Sequence, residues 1–152
     1  MNQEQQETRE RIASVIHVSE FGEPACDEDI ERVEQQLEVS FPSWLRSIYR
    51  ACNGFTTRFG METLFSLAGI VRYKKFLQIG DEEDLLPDWF PRAIIFVCEG
   101  ACGVGTMHWA ALDGELIKWC FEDWDEFNSP KQNFFDLLKE LQNTWDEWDR
   151  ER

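Results

Sequence analysis

Cys52, Asn53 and His108 are the residues whose types could together carry out thiol hydrolysis. A thiol hydrolase needs a cysteine made nucleophilic by an adjacent imidazole, and a third polar group that orients this base. Cys52 falls in the last turn of a predicted helix, where the negative end of the helix dipole disfavours a thiolate. His108 lies within the apolar stretch MHWAAL, which is typical of a strand. We therefore interpret these residues as a buried thiol, a helix stop and a strand histidine, and we predict that the chain is not an enzyme.

A zinc site is the second chemistry that the residue types allow, with Cys98, Cys102, His108 and Cys120 as possible ligands. Three residues separate Cys98 from Cys102, a spacing that structural zinc sites tolerate. The sequence offers no second close pair, and Cys120 falls in an alternating strand pattern, so we favour scattered strand thiols and expect no metal or other cofactor. The run GACGVG lacks the Gly-Lys-Ser/Thr of a phosphate loop and is predicted to be a hairpin turn.

Carboxylates cluster in two predicted loops, around residues 82–84 and 122–126. Paired carboxylates could act as in a glycosidase if a cleft held them at a fixed distance. Both loops also carry aromatic residues, and aromatic anchors ringed by charge are typical of protein-binding surfaces. An alternative stays open, in which the aromatic side chains fold inward and the acids only keep the loops soluble. The predicted partner-binding residues are Glu82, Glu83, Asp84, Trp89, Asp123, Trp124, Asp125 and Glu126.

The composition narrows the class of partner. A net charge of −15 at pH 7, from 30 acidic and 15 basic residues, argues against nucleic acids and anionic membranes, which bind lysine and arginine. The charge favours a basic protein partner. The five irregularly spaced cysteines and the polar opening MNQEQQETRERI favour free thiols in a reducing cytoplasm. Two aromatic-rich surfaces could also form the interface of a dimer, so the sequence leaves both a monomer and a dimer open.

Apolar spacing predicts the elements that position these residues within one domain, residues 1–152. Helices are predicted over residues 4–18, after Asp27, and from Pro42 to the Asn53-Gly54 stop. Strands are predicted over residues 61–67 and 92–97, with the second buried on both faces, and a hairpin is predicted to turn at Asp113-Gly114. The stretch 68–79 is ambiguous and could be a short helix.

The closing helix is predicted to begin at Ser129, with Pro130 in its first position and Gln132 completing a capping box. Its predicted apolar face consists of Phe134, Leu138, Leu141, Trp145 and Trp148. The fold class expected from this order is α+β, with a central antiparallel sheet of about four to six strands and with N-terminal helices and a C-terminal helix packed on it.

The order of these signals over residues 27–142 resembles the SUKH superfamily. The resemblance rests on IERVEQQLEVSFP, the following PSWLRSIYRACNGF, the strand ETLFSL, and LPDWFPRAIIFV before the hairpin. The turn EGACGVG departs from the family, which often has aspartates there. The residues that match the family's fold markers are Glu34, Leu37, Pro42, Asn53, Gly54 and Pro87.

The resemblance implies a binding module. The superfamily is best known for bacterial immunity proteins that neutralise polymorphic toxins, and it also contains regulators of fungal cell-wall synthesis. It implies an immunity protein that binds a cognate toxin, such as a nuclease. The alternative is an intracellular regulatory or scaffold module of the cell-wall branch, and a thiol-dependent or metal-dependent enzyme is the less favoured hypothesis.

Overall fold

Five α-helices surround a six-stranded antiparallel sheet in the computed structural model, which describes residues 1–81, 86–99, 107–120 and 133–151, except the side chains of Phe59 and Cys120. The helices are α1 (Gln3–Val15), α2 (Asp27–Leu37), α3 (Ser43–Ala51), α4 (Leu67–Ile79) and α5 (Phe134–Arg150). The strands are β1 (Glu20–Phe21), β2 (Phe55–Thr56), β3 (Glu62–Leu64), β4 (Ile94–Cys98), β5 (Met107–Leu112) and β6 (Glu115–Cys120). This arrangement confirms the predicted α+β class.

The sheet is a meander in which every strand pairs with its neighbour in the chain, in the order β1 to β6. All five residues of β4 are buried, as predicted for a strand covered on both faces. β5 and β6 form the predicted hairpin, and Leu112 faces Glu115 across its turn. Asp113 and Gly114 have φ values of 50° and 86°, the positive values that a two-residue hairpin turn requires. This prediction is confirmed.

The helices cover the two faces of the sheet. On one face, Tyr73 of α4 contacts His108 of β5. On the other face, Phe134 of α5 lies against Phe96 of β4, with ring centroids 6.3 Å apart. Because side chains alternate along a strand, the sheet separates an α4 side from an α5 side.

The first helix and the strand before α4 are shorter than predicted. Helix α1 ends at Val15 rather than near residue 18. Strand β3 ends at Leu64 rather than residue 67, because Ser66 already caps α4 and its hydroxyl accepts a hydrogen bond from the Gly69 amide at 3.0 Å. The ambiguous stretch 68–79 thus belongs to a full α-helix of 13 residues.

The predicted start of α5 was wrong. The helix begins at Phe134, and Asn133 caps it by accepting a hydrogen bond from the Asp136 amide at 2.9 Å. The predicted capping residues Ser129, Pro130 and Gln132 lie outside the described residues.

The predicted apolar face of α5 extended one residue too far. Trp148 is 44% exposed, whereas Trp145 is buried and its indole N–H donates to the Glu99 carbonyl at 3.1 Å. Trp148 lies three residues beyond Trp145 on the helix.

The fold-marker residues connect elements. The Glu34 carboxylate accepts a hydrogen bond from the Phe41 amide at 2.8 Å and pairs with Arg46, which joins α2 to α3. The Asn53 side chain accepts a hydrogen bond from the Leu67 amide at 2.8 Å, at the start of α4. The remaining markers are Leu37, the last residue of α2; Pro42, which precedes α3 as its cap rather than lying in its first turn; Gly54, with a φ of 84°; and Pro87, whose carbonyl accepts from the Phe90 amide.

Candidate functional site

Cys52 occupies a structural position rather than a catalytic one. It caps the end of α3, is fully buried, and its thiol donates to the Ile48 carbonyl at 3.7 Å. Burial raises the pKa of Cys52 to about 12, so the thiol is protonated at neutral pH and is a poor nucleophile. The neighbouring Asn53 side chain is engaged by the Leu67 amide. These contacts agree with the structural interpretation of the Cys52-Asn53 pair.

His108 belongs to a row of aromatic rings that we call the aromatic stack, formed by Phe76, Tyr73, His108 and Trp119. The Tyr73 hydroxyl lies 2.7 Å from His108 Nε2, and the two rings are nearly parallel at 15°. The His108 and Trp119 rings lie 4.6 Å apart, centroid to centroid, on paired positions of β5 and β6. His108 is fully buried. These contacts hold the imidazole within the core beneath α4.

The sheet brings together two of the four residues that were considered as possible zinc ligands. Cys98 faces His108 across β4 and β5. Cys120 pairs with Met107, and Cys102 lies outside the described residues. Across the described parts of the chain, no three His, Cys, Asp or Glu residues form a group that could hold a metal ion. Cys26 and Cys52 are free thiols.

The exposed end of the aromatic stack carries two large apolar side chains, Phe76 and Ile79, which we call the α4 patch. Phe76 is 65% exposed and Ile79 is 78% exposed. The Phe76 ring lies 6.1 Å from Tyr73 at an interplanar angle of 19°, so the stack supports it from below. The two residues are three positions apart and therefore share one face of α4. The sequence pattern did not single out this patch, because the stretch was ambiguous between strand and helix.

The α4 patch directly precedes the first predicted acidic loop. Asp81 follows α4, and its carboxylate accepts a hydrogen bond from the Leu86 amide at 3.2 Å. This bond holds together the two ends of the segment that contains Glu82, Glu83 and Asp84. These three acids lie outside the described residues, as do Asp123, Trp124, Asp125 and Glu126 of the second predicted loop.

Trp89 lies at the other end of the aromatic stack. It is partly buried, packs against the core, and meets Trp119 edge-on at 6.3 Å. Of the eight predicted partner-binding residues, it is the one that the structure describes. Phe76 and Trp89 thus contact the same row of rings, which connects the end of α4 with the segment before β4.

A buried lysine joins this segment to α4. Lys74 is only 4% exposed, and its ammonium group donates to the Pro91 and Ala93 carbonyls at 2.8 and 3.0 Å. Burial lowers the pKa of Lys74 to about 8, against an ordinary value of 10.5. The ammonium group lies 5.5 Å from the centre of the Phe90 ring. Lys74 therefore fixes the backbone next to Trp89, although a lysine in an ambiguous stretch gave no sequence signal for such a role.

No helix that the structure describes has both the length and the apolar character needed to cross a bilayer. A search of curated proteins finds no significant match to the chain. The sequence profile of the SMI1 / KNR4 family (SUKH-1) matches residues 24–148. The match spans most of the chain and includes α2 to α4, nearly all of α5, and the sheet from β2 to β6. This family is generally non-enzymatic, and the match supports a module of the immunity or regulator class. The chain belongs to the SMI1 / KNR4 family (SUKH-1).

Proposed function

We propose that this chain is a cytoplasmic, non-catalytic immunity protein that binds and neutralises a cognate toxin, such as a nuclease. In this proposal the α4 patch and the acidic loops form the binding surface. Family membership supports the broader class of immunity or regulator modules. The single observation that carries the proposed surface is the exposure of Phe76 and Ile79 on one helix face, just before an acidic run.

The α4 patch can supply binding energy because both side chains lose water contact when a partner covers them. Full burial of a phenylalanine or isoleucine side chain contributes about 1.5–3 kcal/mol. The aromatic stack positions Phe76 before binding, which lowers the entropy cost of ordering it in a complex. A pre-positioned aromatic residue of this kind is typical of an interface hot spot.

The acids supply attraction and selectivity. A nuclease needs a basic groove for its nucleic acid, and an acidic protein can occupy that groove with its own carboxylates. The net charge of −15 favours rapid encounter with a basic partner. In this proposal Glu82, Glu83, Asp84, Asp123, Asp125 and Glu126 supply the charge, and Trp89 and Trp124 are further aromatic anchors. The mechanism requires no cofactor.

The first experiment captures the partner and tests its toxicity. Tagged protein is purified from its native cells at about 50 and 200 mM salt, a range in which exposed charge pairs become screened. The captured protein is then expressed alone and together with this chain while growth is followed. A basic partner that stops growth alone, and does not when co-expressed, supports the proposal. A partner with no effect on growth in either case contradicts neutralisation and favours the regulatory or scaffold role of the cell-wall branch.

Two sets of variants then test the surface. Replacing Phe76 and Ile79 by serine should weaken binding of that partner at least tenfold, since tenfold corresponds to about 1.4 kcal/mol. Trp148→Ser is the matched control, because Trp148 is also an exposed apolar side chain but lies on α5.

Reversing Glu82, Glu83 and Asp84 to lysine should weaken binding more than about tenfold. The same reversal of Glu28, Glu31 and Glu147, which are exposed elsewhere, should have a much smaller effect. Equal losses in variant and control would contradict this surface.

A further inference from the structure

A groove of about 1030 Å³ lies on the α5 side of the sheet, between α1, α3, the turn of the β5–β6 hairpin and the start of α5. Trp44, Phe134 and Phe135 line its apolar part. Three carboxylates, Glu4, Glu7 and Glu115, border it. The groove therefore combines aromatic rings with negative charge, at a place remote from the α4 patch in the fold.

The aromatic part of the groove is held in place by contacts below it. The Trp44 indole N–H donates to the Gly114 carbonyl at 3.0 Å, which fixes α3 to the hairpin turn. The Trp44 ring meets Phe96 of β4 edge-on at 5.8 Å, and Phe134 contacts the same Phe96 ring. Phe135 meets Phe134 edge-on at 5.5 Å. A ligand would thus find an apolar surface that is already ordered.

Helix α1 forms a fixed wall of the groove. The Arg9 guanidinium donates to the Ala51 and Gly22 carbonyls at 2.7 and 2.8 Å, and the Gln5 side chain donates to the Arg50 carbonyl at 2.8 Å. These bonds hold the helix against the end of α3. Glu4, Glu7, Thr8 and Arg11 recur at the spacing of one helix face, and all of them line the groove.

Arg11 shows which chemical group this groove accommodates. Its guanidinium lies 3.7 Å above the centre of the Phe135 ring, a close cation–π contact. Arg11 is the one cation among the described residues that line the groove, and the three carboxylates of the border stand against it. A negatively charged ligand would be repelled by these acids, whereas a second cation would be attracted by them and could share or take the Phe135 ring.

We propose that this groove binds an extended basic segment of a partner protein. An arginine of that segment displaces Arg11 from the Phe135 ring and pairs with Glu4 or Glu7. An apolar side chain of the segment lies on Trp44 and Phe134. The groove and the α4 patch are on opposite sides of the sheet, so occupation of the groove does not depend on the proposed toxin surface.

The test uses the full chain and a synthetic ten-residue peptide of alternating arginine and leucine, measured by isothermal titration calorimetry. The expected result is binding that weakens severalfold between about 50 and 200 mM salt. A peptide with citrulline in place of arginine has nearly the same shape without the charge, and should bind at least about tenfold more weakly. No heat of binding at millimolar peptide would overturn the proposal.

Charge variants separate the groove from general electrostatic attraction. Glu4→Gln with Glu7→Gln should weaken binding at least about fivefold. Glu28→Gln with Glu31→Gln removes the same charge from exposed positions of α2 and should change binding less than about twofold, because these positions lie away from the groove. Equal weakening by both pairs would overturn the proposal.

Two further variants act inside the groove itself and shift its charge in opposite directions. Arg11→Ala frees the Phe135 ring and should tighten binding of the arginine peptide. The affinity of this variant for the citrulline peptide should increase less. Ser47→Arg places a cation in the groove from an exposed position of α3 and should abolish binding. Circular dichroism checks that both variants fold. A gain in affinity for Ser47→Arg, or a loss for Arg11→Ala, would contradict the assignment.

A second copy of the chain is the other occupant to test. Sedimentation of the free protein is measured over a hundredfold concentration range. We expect no self-association through the groove, and therefore none that Ser47→Arg abolishes. A dimer that this substitution dissociates, and that the peptide does not compete with, would assign the groove to self-association and overturn the proposal.

Discussion

Replacing Lys74 by methionine tests how a buried cation affects folding as pH changes. The Lys74 side chain is almost fully buried, and two backbone carbonyls accept its hydrogen bonds. A neutral amine has two N–H donors, which matches these two acceptors, whereas the ammonium form carries a third. Methionine has a similar length and no titratable group. The substitution therefore removes the proton equilibrium together with the two hydrogen bonds.

The magnitude follows from the two pKa values of Lys74. Its pKa is about 8 in the folded protein, against an ordinary value of 10.5. Between these values the unfolded chain binds more protons than the folded chain, so the free energy of unfolding rises with pH. Below pH 8 Lys74 is protonated in both the folded and the unfolded state. The destabilisation of the folded protein by the buried charge is then complete and does not change with pH. From pH 7 to pH 10 the free energy of unfolding of the wild type should rise by about 2–3 kcal/mol relative to that of Lys74→Met.

Urea denaturation of both proteins at intervals from pH 7 to pH 10 measures this difference. The comparison between the two proteins is essential because other groups titrate in the same range. The buried Cys52 acts in the opposite sense, since its raised pKa makes the folded protein lose stability at high pH. The lost hydrogen bonds shift the Lys74→Met curve by a constant amount. Two parallel curves, with no change in their separation between pH 7 and pH 10, would refute the reasoning.

Two further substitutions test contacts that join elements, and a chemical modification tests the burial of a thiol. Glu34→Gln removes the charged partner of Arg46 and weakens the bond to the Phe41 amide, and should lower the free energy of unfolding by about 1–3 kcal/mol; an unchanged midpoint in urea would contradict it. Gly54→Ala places a Cβ 2.7 Å from the Ser66 amide nitrogen at a φ of 84°, and should lower the free energy of unfolding by more than about 1 kcal/mol in the same measurement. Gly60→Ala is the control, because its Cβ meets nothing within 4 Å at a φ of 71°, and it should lower the free energy of unfolding less. A thiol reagent at pH 8 should modify the exposed Cys26 within minutes and the buried Cys52 only on unfolding; equal rates, read by mass spectrometry of peptides, would contradict the burial of Cys52.

The parts of the fold that could be predicted from sequence are those with a local physical cause. The Asp113-Gly114 turn has a backbone requirement that few residue pairs satisfy, and the apolar run of β4 has no polar residue to place at a surface. The start of α5 was predicted at Ser129, whereas the helix is capped by Asn133, whose side-chain oxygen accepts from the Asp136 amide. Helix α4 was ambiguous because β-branched and aromatic residues favour strands, and its capping by Ser66 overrides that preference.

The candidate surfaces were harder to predict because they combine residues from distant parts of the chain. The charge and the aromatic content suggested an acidic, aromatic binding surface, and the eight residues named for it remain a prediction. Phe76 gave no such signal, since its exposure depends on how α4 packs over His108. The groove on the other side of the sheet draws on four elements, and no spacing in the sequence relates Glu4 to Trp44 or Phe135.

The sequential order of the strands has a consequence for folding kinetics. Strands β4, β5 and β6 are joined by short connections, as are β2 and β3, so each group can form from contacts close in sequence. β3 and β4 meet only after α4 and the segment that follows it have been spanned, through the pairing of Leu64 with Val97 and the bond from the Phe65 amide to the Phe96 carbonyl. Closing a longer loop has a larger entropy cost, and non-local pairing slows folding. We therefore expect the β4–β6 meander to gain protection from hydrogen exchange first, and the joining of its edge to β3 to limit the rate at which the complete sheet forms.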